Sequence, residues 1–309
     1  MRNNWKCPAL AWTWTLAAML LVGCTTAPVA PPIEAPVPVL PPVVVPAPKR
    51  PPVIGLALGG GAARGFAHVG VIQVLEEAGI RPKLVVGTSA GSLVATLYAS
   101  GRSGAQLQQV AESMEEAAIT DWTLPIFTRG MLRGEALAHY VNNLVKGRLI
   151  ENMSLPLGIV ATDLNSGLGV LFRRGDSGTA VRASSSVPGV FQPVKIGLRE
   201  YVDGGLVSPV PVRYAKEMGA ELVIAVDISS IAEGNLTDGT MQILMQTFTI
   251  MGKSINAFEL READVVVQPL QTGLSSTDFT VRKRAIEAGR AAMLKMLPQL
   301  RAAIEAKSR

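Results

Sequence analysis

The stretch KLVVGTSAGSLVATLYAS, residues 83–100, changes its periodicity at the centre. Lys83 to Gly87 is a short apolar, β-branched run suited to a buried strand, and Ser92 to Ala99 has the spacing of a helix. Between them Gly87-Thr88-Ser89-Ala90-Gly91 matches G-x-S-x-G, the pattern of a nucleophile elbow. Glycines two before and two after the serine let the turn tighten and let strand and helix approach. The reading predicts a strand over 83–87, a helix over 90–100 and Ser89 at the helix N-terminus. A helix N-cap in a glycine-rich turn is the alternative role for this serine.

The same alternation continues on both sides. Further strands are expected at 53–59, 156–162, 169–173, 200–203, 222–228 and 264–269. Helices are expected at 66–78, 104–117, 133–146, 177–186, 209–218, 240–262 and 280–297, with Ser275-Ser276-Thr277-Asp278 as an N-capped approach to the last. Runs such as LVIAV at 222–226 are apolar on both faces, so helices must cover both sides of the sheet. The expected fold is a three-layer α/β/α domain over residues 53–309 with a mostly parallel central sheet.

A serine hydroxyl needs a base within hydrogen-bond reach before it attacks at neutral pH. The chain has two histidines, His68 and His139. A triad in the order serine, acid, histidine could only use Ser89, Asp121 or a neighbouring carboxylate, and His139; that compresses it into a fraction of the domain and disfavours it. Asp203, in Tyr201-Val202-Asp203-Gly204-Gly205, is the other candidate base, projecting from a strand end where two glycines permit a sharp turn; a hairpin turn is its alternative reading. Gly59-Gly60-Gly61-Ala62-Ala63-Arg64-Gly65, between a strand and a helix, offers successive backbone N–H groups to an anion. Arg64 stands where a dinucleotide fingerprint wants its last glycine, and the second strand ends in glycine instead of an acidic residue. The loop suits a developing oxyanion, with Arg64 adding positive charge or bracing it. Neither G-x-x-x-x-G-K-[ST] nor a metal-ligand cluster occurs, and no cofactor is expected.

Four ordered parts, GGGAARG, GTSAG, RASSSVPGVFQPV at 182–194 and DGG at 203–205, resemble the bacterial branch of the patatin-like phospholipase family over most of 53–297. The resemblance implies a serine acyl hydrolase acting on lipid esters. It implies Ser89 as nucleophile, Asp203 as its sole partner in a Ser-Asp dyad, and an oxyanion hole from Gly59, Gly60, Gly61, Arg64 and Gly65. Gly87 and Gly91 would shape the elbow, and Gly204 and Gly205 the turn after the base. His68, four residues after Arg64, would brace the glycine loop. Ser184 to Ser186 would shape the floor of the site. A catalytically quiet lipid- or envelope-binding protein on the same scaffold is the rival reading.

The N-terminal part has a different character. Arg2 and Lys6 precede an uncharged stretch from Cys7 to Val22, too short to span a bilayer comfortably, and residues 1–23 read as a signal peptide. Leu21-Val22-Gly23-Cys24 resembles the lipobox of bacterial lipoproteins, which implies lipidation of Cys24, and Thr25 after it implies sorting to the outer membrane, facing the periplasm. Of the chain's 2 cysteines, Cys7 would leave with the signal and Cys24 would carry the lipid, so no free thiol would remain and disulfide and thiol-redox functions are excluded. Residues 24–52 are then a lipidated, proline-rich tether; 11 prolines between Pro28 and Pro52 favour extended polyproline II. At roughly 3.1 Å per residue it reaches up to about 80 Å.

Of 309 residues, 48% are hydrophobic and 17% charged, with a net charge of +5, which argues against a nucleic-acid-binding protein. The expected partners are a lipid ester and a membrane, and the oligomeric state is left open. Two segments could touch lipid. Met241 to Phe258 could line an acyl channel, with ordinary core packing favoured. Arg282 to Arg309 holds eight basic and two acidic residues, and a solvated amphipathic helix with a buried stripe is favoured over a headgroup-binding surface.

Overall fold

Alternation along the apolar strands sends their side chains to two opposite cores. In this computed structural model, which describes residues 49–115, 121, 130–229, 239–270 and 279–309, Leu56, Leu58, Val85 and Ile224 join one buried cluster and Ala57, Leu84, Val86 and Val223 the other. The elements in chain order are β1 (Ile54–Leu58), α1 (Ala67–Glu77), β2 (Leu84–Thr88), α2 (Ala90–Ala99), α3 (Gly104–Ser113), β3 (Gly130–Leu132), α4 (Glu135–Val145), β4 (Leu157–Asp163), β5 (Gly169–Phe172), α5 (Ser177–Ser184), β6 (Gly189–Phe191), β7 (Val194–Ile196), β8 (Arg199–Asp203), α6 (Val212–Glu217), β9 (Leu222–Val226), α7 (Thr240–Glu259), β10 (Val265–Val267) and α8 (Arg282–Lys307). The first cluster is closed by α1, α2 and α8 through Ile72, Leu75, Ala95 and Met293, the second by α6 through Val212 and Ala215. Each fully buried leucine or isoleucine contributes about 1.5–3 kcal/mol. The domain is thus a mixed α/β fold with helices on both sides of a mostly parallel sheet.

The main sheet has the order β10-β9-β1-β2-β4-β8-β7, with β5 also paired to β4. β10, β9, β1, β2 and β4 are parallel; β5 and β8 run antiparallel to β4. β5 pairs with β4 from Ile159 to Thr162, so β2 and β8 must both lie along the opposite edge. There Thr88 is opposite Val160 and Asp203 is opposite Ala161. Two strands of opposite direction therefore meet end to end on one edge of β4, bringing the residue after Thr88 to the end of β8.

Most expected elements are present, with four differences, one of them the edge strand β7, which pairs with β8 and has no counterpart in the sequence reading. A 3-10 turn over Ala62–Phe66 precedes α1. The strands β3 and β6, absent from the sequence reading, pair with each other outside the main sheet. The last helix runs beyond the expected stop at 297 to Lys307, straight through Pro298. A proline removes one helical N–H, but Leu300 is fully buried and Ala303 and Ile304 pack on the core, and this burial outweighs the lost bond. At the crossing of α1 and α8 the glycines are reciprocal: a Cβ on Gly70 would sit 2.0 Å from the Ile286 carbonyl oxygen, and one on Gly289 2.0 Å from that of Ala67. Backbones touch there because neither position carries a side chain. Residues 1–23, Cys24, the tether up to residue 48 and the Ser275 to Asp278 cap lie outside the described residues.

Candidate active site

Ser89 follows β2 directly and has φ 52 and ψ −125, a left-handed backbone that a side-chain-bearing residue adopts only under constraint. The constraint comes from its glycine neighbours. A Cβ on Gly87 would lie 2.4 Å from the Gly91 carbonyl oxygen, and one on Gly91 2.1 Å from that of Leu58, so strand, turn and helix fit only without those side chains. The strained turn lifts the hydroxyl out of the sheet at the N-terminus of α2.

Ser89 Oγ donates to Asp203 Oδ2 at 2.8 Å. The other carboxylate oxygen, Oδ1, accepts from the Gly205 N–H at 2.7 Å, and the Asp203 carbonyl accepts from Thr162 Oγ1 at 2.8 Å. Gly204 is needed because a Cβ there would be 2.2 Å from the Val160 carbonyl oxygen. Asp203 is 6% exposed, and burial pushes its carboxyl up to about 6 against the opposing pull of the Gly205 and Ser89 hydrogen bonds. A carboxylate poised in this way can hold or release a proton near neutral pH.

Neither histidine joins the pair. His68 is wholly buried and gives its Nε2–H to the Gly59 carbonyl at 2.8 Å; burial lowers it to about 4, so it stays neutral. His139 is exposed on α4. Asp121, its formal triad partner, instead accepts the N–H groups of Gly134 and Ala136 at the start of α4. The contact of His68 with Gly59 is of the bracing kind.

The glycine loop lies against the serine: a Cβ on Gly60 would be 3.1 Å from Ser89 Cβ, and one on Gly65 2.9 Å from Ala90 Cβ. Its N–H groups are not equivalent. Gly59 donates to Val226 O and Gly60 to Pro209 O, so the first two expected oxyanion donors are already occupied. The 3-10 turn starts after Gly61 and leaves the N–H groups of Ala62 and Ala63 without a partner inside it. Arg64 Nε donates to Ile228 O at 2.8 Å, tying the loop to the segment that follows β9, and burial lowers its guanidinium pKa from the usual range.

One contributor escaped the sequence reading in its role. The Ser89 N–H donates to Ser184 Oγ at 2.8 Å, and that hydroxyl donates to Val160 O at 2.6 Å. Ser184 thereby pins the strained residue to β4 from the end of α5. The Asp203 N–H donates to Ser186 O at 2.9 Å, so the same serine block holds both halves of the pair.

Beside Ser89 opens a cavity of about 190 Å³. Ala62, Ala63 and Gly65 border it at the loop, and Leu97, Leu107 and Met114 also line it. The acyl-channel segment expected at Met241 to Phe258 is not part of this lining. Its favoured alternative, core packing, is also corrected: of α7 only Asn256 and Glu259 are buried, while Ile243, Ile250, Met251 and Phe258 are exposed. The basic C-terminal segment, by contrast, buries Ile286, Gly289, Met293 and Leu300 and pairs Arg290 with Glu77 and Lys307 with Asp264. Among the described residues no group of three or more His, Cys, Asp or Glu is placed to hold a metal ion.

Comparison with known proteins gives a consistent family signal. A family model described as Patatin-like phospholipase matches residues 56–216. An uncharacterized NTE family protein of Mycobacterium tuberculosis is 35% identical over 205 residues, which is 66% of this chain and 57% of that protein. Patatin-like phospholipase domain-containing protein 6 of Homo sapiens is 35% identical over 193 residues, 60% of this chain and 14% of that protein. The chain thus spans less than two thirds of the length of either relative. The crystal structure of VipD from Legionella pneumophila shares the fold, with a TM-score of 0.55 at 15% identity, covering 81% of this chain and 67% of that one.

Proposed function

Because the chain belongs to the patatin-like phospholipase family, whose model matches residues 56–216, we propose that it is a serine acyl hydrolase cleaving carboxylic esters of lipids, phospholipid or lysophospholipid, through a Ser89–Asp203 dyad. The observation that carries this reading is the 2.8 Å hydrogen bond between Ser89 and Asp203 at the wall of an apolar cavity. Asp203 takes the Ser89 proton as Oγ bonds to the ester carbonyl carbon. The tetrahedral oxyanion then collapses, the carbon–oxygen bond to the alcohol breaks, and the departing oxygen takes the proton from Asp203. Water repeats the sequence on the acyl-enzyme: Asp203 accepts its proton, the acid leaves, and Ser89 regains its hydrogen.

The N–H groups at the start of the 3-10 turn and of α2, those of Ala62, Ala63 and Ala90, are suited to the oxyanion because all three residues border the cavity beside Ser89. The cavity would take the acyl chain. Residues 1–23 as a signal peptide and Cys24 as a lipidated residue support an outer-membrane lipoprotein facing the periplasm, with the hydrolase domain from 53 onward held on its tether. Ser89→Ala tests the enzymatic reading: lipid-ester hydrolysis, resolved by headgroup and acyl chain, should fall by a factor on the order of 10⁴ or more, and fluorophosphonate labelling should disappear. Retained turnover would overturn the assignment.

A further inference from the structure

The exposed face of α7 has no role in the chemistry above. Its outward stripe runs Ile243, Thr247, Ile250, Met251, Ser254, Phe258, the i, i+4, i+7, i+8, i+11, i+15 spacing of one helix face. Ile243 is 54% exposed, Ile250 52%, Met251 47% and Phe258 70%, values that exclude a core role for these side chains. The two hydroxyls in the stripe are turned inward on their own helix: Thr247 Oγ1 donates to the Ile243 carbonyl at 2.9 Å and Ser254 Oγ to that of Ile250 at 3.2 Å. Their hydrogen-bonding needs are met without water, so the stripe can enter an apolar medium without losing them. From Thr240 to Gly252 there is no charged residue; Lys253 and Arg261 flank the stripe, Arg261 with its guanidinium 5.4 Å from the Phe258 ring centre.

The inner side of the same helix is fastened around the candidate active site. At one end Met241 and Leu244 pack on Gly189 of β6, and Phe191 of that strand borders the cavity. At the other end Glu259 accepts from Ser208 Oγ at 2.6 Å, and the Ser208 carbonyl accepts from Thr88 Oγ1, one residue before the serine nucleophile candidate. The helix is held by what lies beneath it and bare on top.

We infer that α7 is an interfacial helix that lays Ile243, Ile250, Met251 and Phe258 into a phospholipid surface and so sets the cavity beside the membrane. A lipid surface is the fitting occupant because the stripe presents apolar bulk and no unmet polar group to specify a protein partner, while Lys253 and Arg261 are placed for headgroup phosphates. Among the described residues no helix is long and apolar enough to cross a membrane, so α7 lies on it. The binding claim is independent of the enzymatic reading; only its purpose rests on that reading.

The test uses the chain without its proposed signal peptide, residues 24–309 carrying Cys24→Ser, which lacks both the apolar leader and the proposed acyl anchor, and vesicles of phosphatidylcholine and phosphatidylglycerol. The parent should float with the vesicles, and Ile250→Glu with Phe258→Glu should lower the bound fraction on the order of tenfold or more. Hydrolysis of a soluble short-chain ester should be equal in the two, which also reports that the variant is folded. A parent that does not float, or a double variant that floats as well as the parent, overturns the inference. So does a parent that elutes as a dimer when the variant is monomeric, since a second copy would then own this face. Vesicle binding lost in the variant while neither protein cleaves the soluble ester would leave the lipid surface standing and bring down the hydrolase reading instead.

Discussion

Asp203 is pulled two ways, and both can be measured. Its burial favours the protonated form, yet it can accept a proton from Ser89 only when ionised. In the proposed mechanism kcat/KM should therefore rise with pH through about 6 and level off above it, and a profile flat down to about pH 4 would contradict the assignment. For stability the sign is opposite. The folded-state value is raised, so the native state carries a burial penalty that is complete above about 6 and absent below the ordinary carboxylate value. Asp203→Asn should unfold at higher urea than the parent at about pH 8, by on the order of 2 kcal/mol, and this advantage should vanish towards about pH 4. Asparagine keeps an acceptor for the Gly205 N–H, so the gain is not masked by a broken turn. Activity should be lost in the same variant. Ser184→Ala leaves the Ser89 N–H and the Val160 carbonyl without their shared partner. It should cost about 1–3 kcal/mol in urea unfolding and lower kcat with little change in KM, because Ser184 positions the serine and touches no substrate.

Glycines divide the helices into those that tolerate a methyl group and those that do not. Gly70→Ala would drive a Cβ into the backbone of α8 at the crossing, and about 2–3 kcal/mol of stability should be lost. Gly252→Ala lies within α7 and would meet only Pro209, at an ordinary 3.5 Å, so it should raise stability by about 0.5–1 kcal/mol. Urea midpoints for the two variants check both directions at once. These elements also show what a sequence can and cannot convey. The elbow at Ser89 and the Asp203-Gly204-Gly205 turn are legible because their backbones admit few residue types. The strands of the parallel sheet are legible because both their faces must be apolar. The link from Ser184 to Ser89 is not, because it spans 95 positions and depends on where α5 ends. Nor does Pro298 announce that α8 continues, since burial of Leu300 overrides a local stop signal. The periodicity of α7 identifies an apolar face but not whether anything covers it, which is why core packing was the natural expectation there.

The two ends of the described domain are joined. Arg50 and Arg309 exchange backbone hydrogen bonds, and the Arg50 guanidinium grips Glu221 at 2.7 Å, so the domain is tied together three residues before the first expected strand residue at Val53. If Cys24 carries the proposed lipid, Cys24→Ser should move the protein from membranes that have been washed at high pH into the soluble fraction, because one interfacial helix binds reversibly where a diacyl anchor does not. Retention after the wash would place the anchor elsewhere. The end-to-end meeting of β2 and β8 has a consequence in time. Ser89 and Asp203 are 114 positions apart, and the pair exists only once the antiparallel β8 has docked on the edge that β2 leaves free. Such a long-range contact closes late, after local helices and hairpins have formed. A chain still being made or moved in an unfolded state therefore holds a serine without its base, and its capacity to cut lipid arises only with the finished sheet.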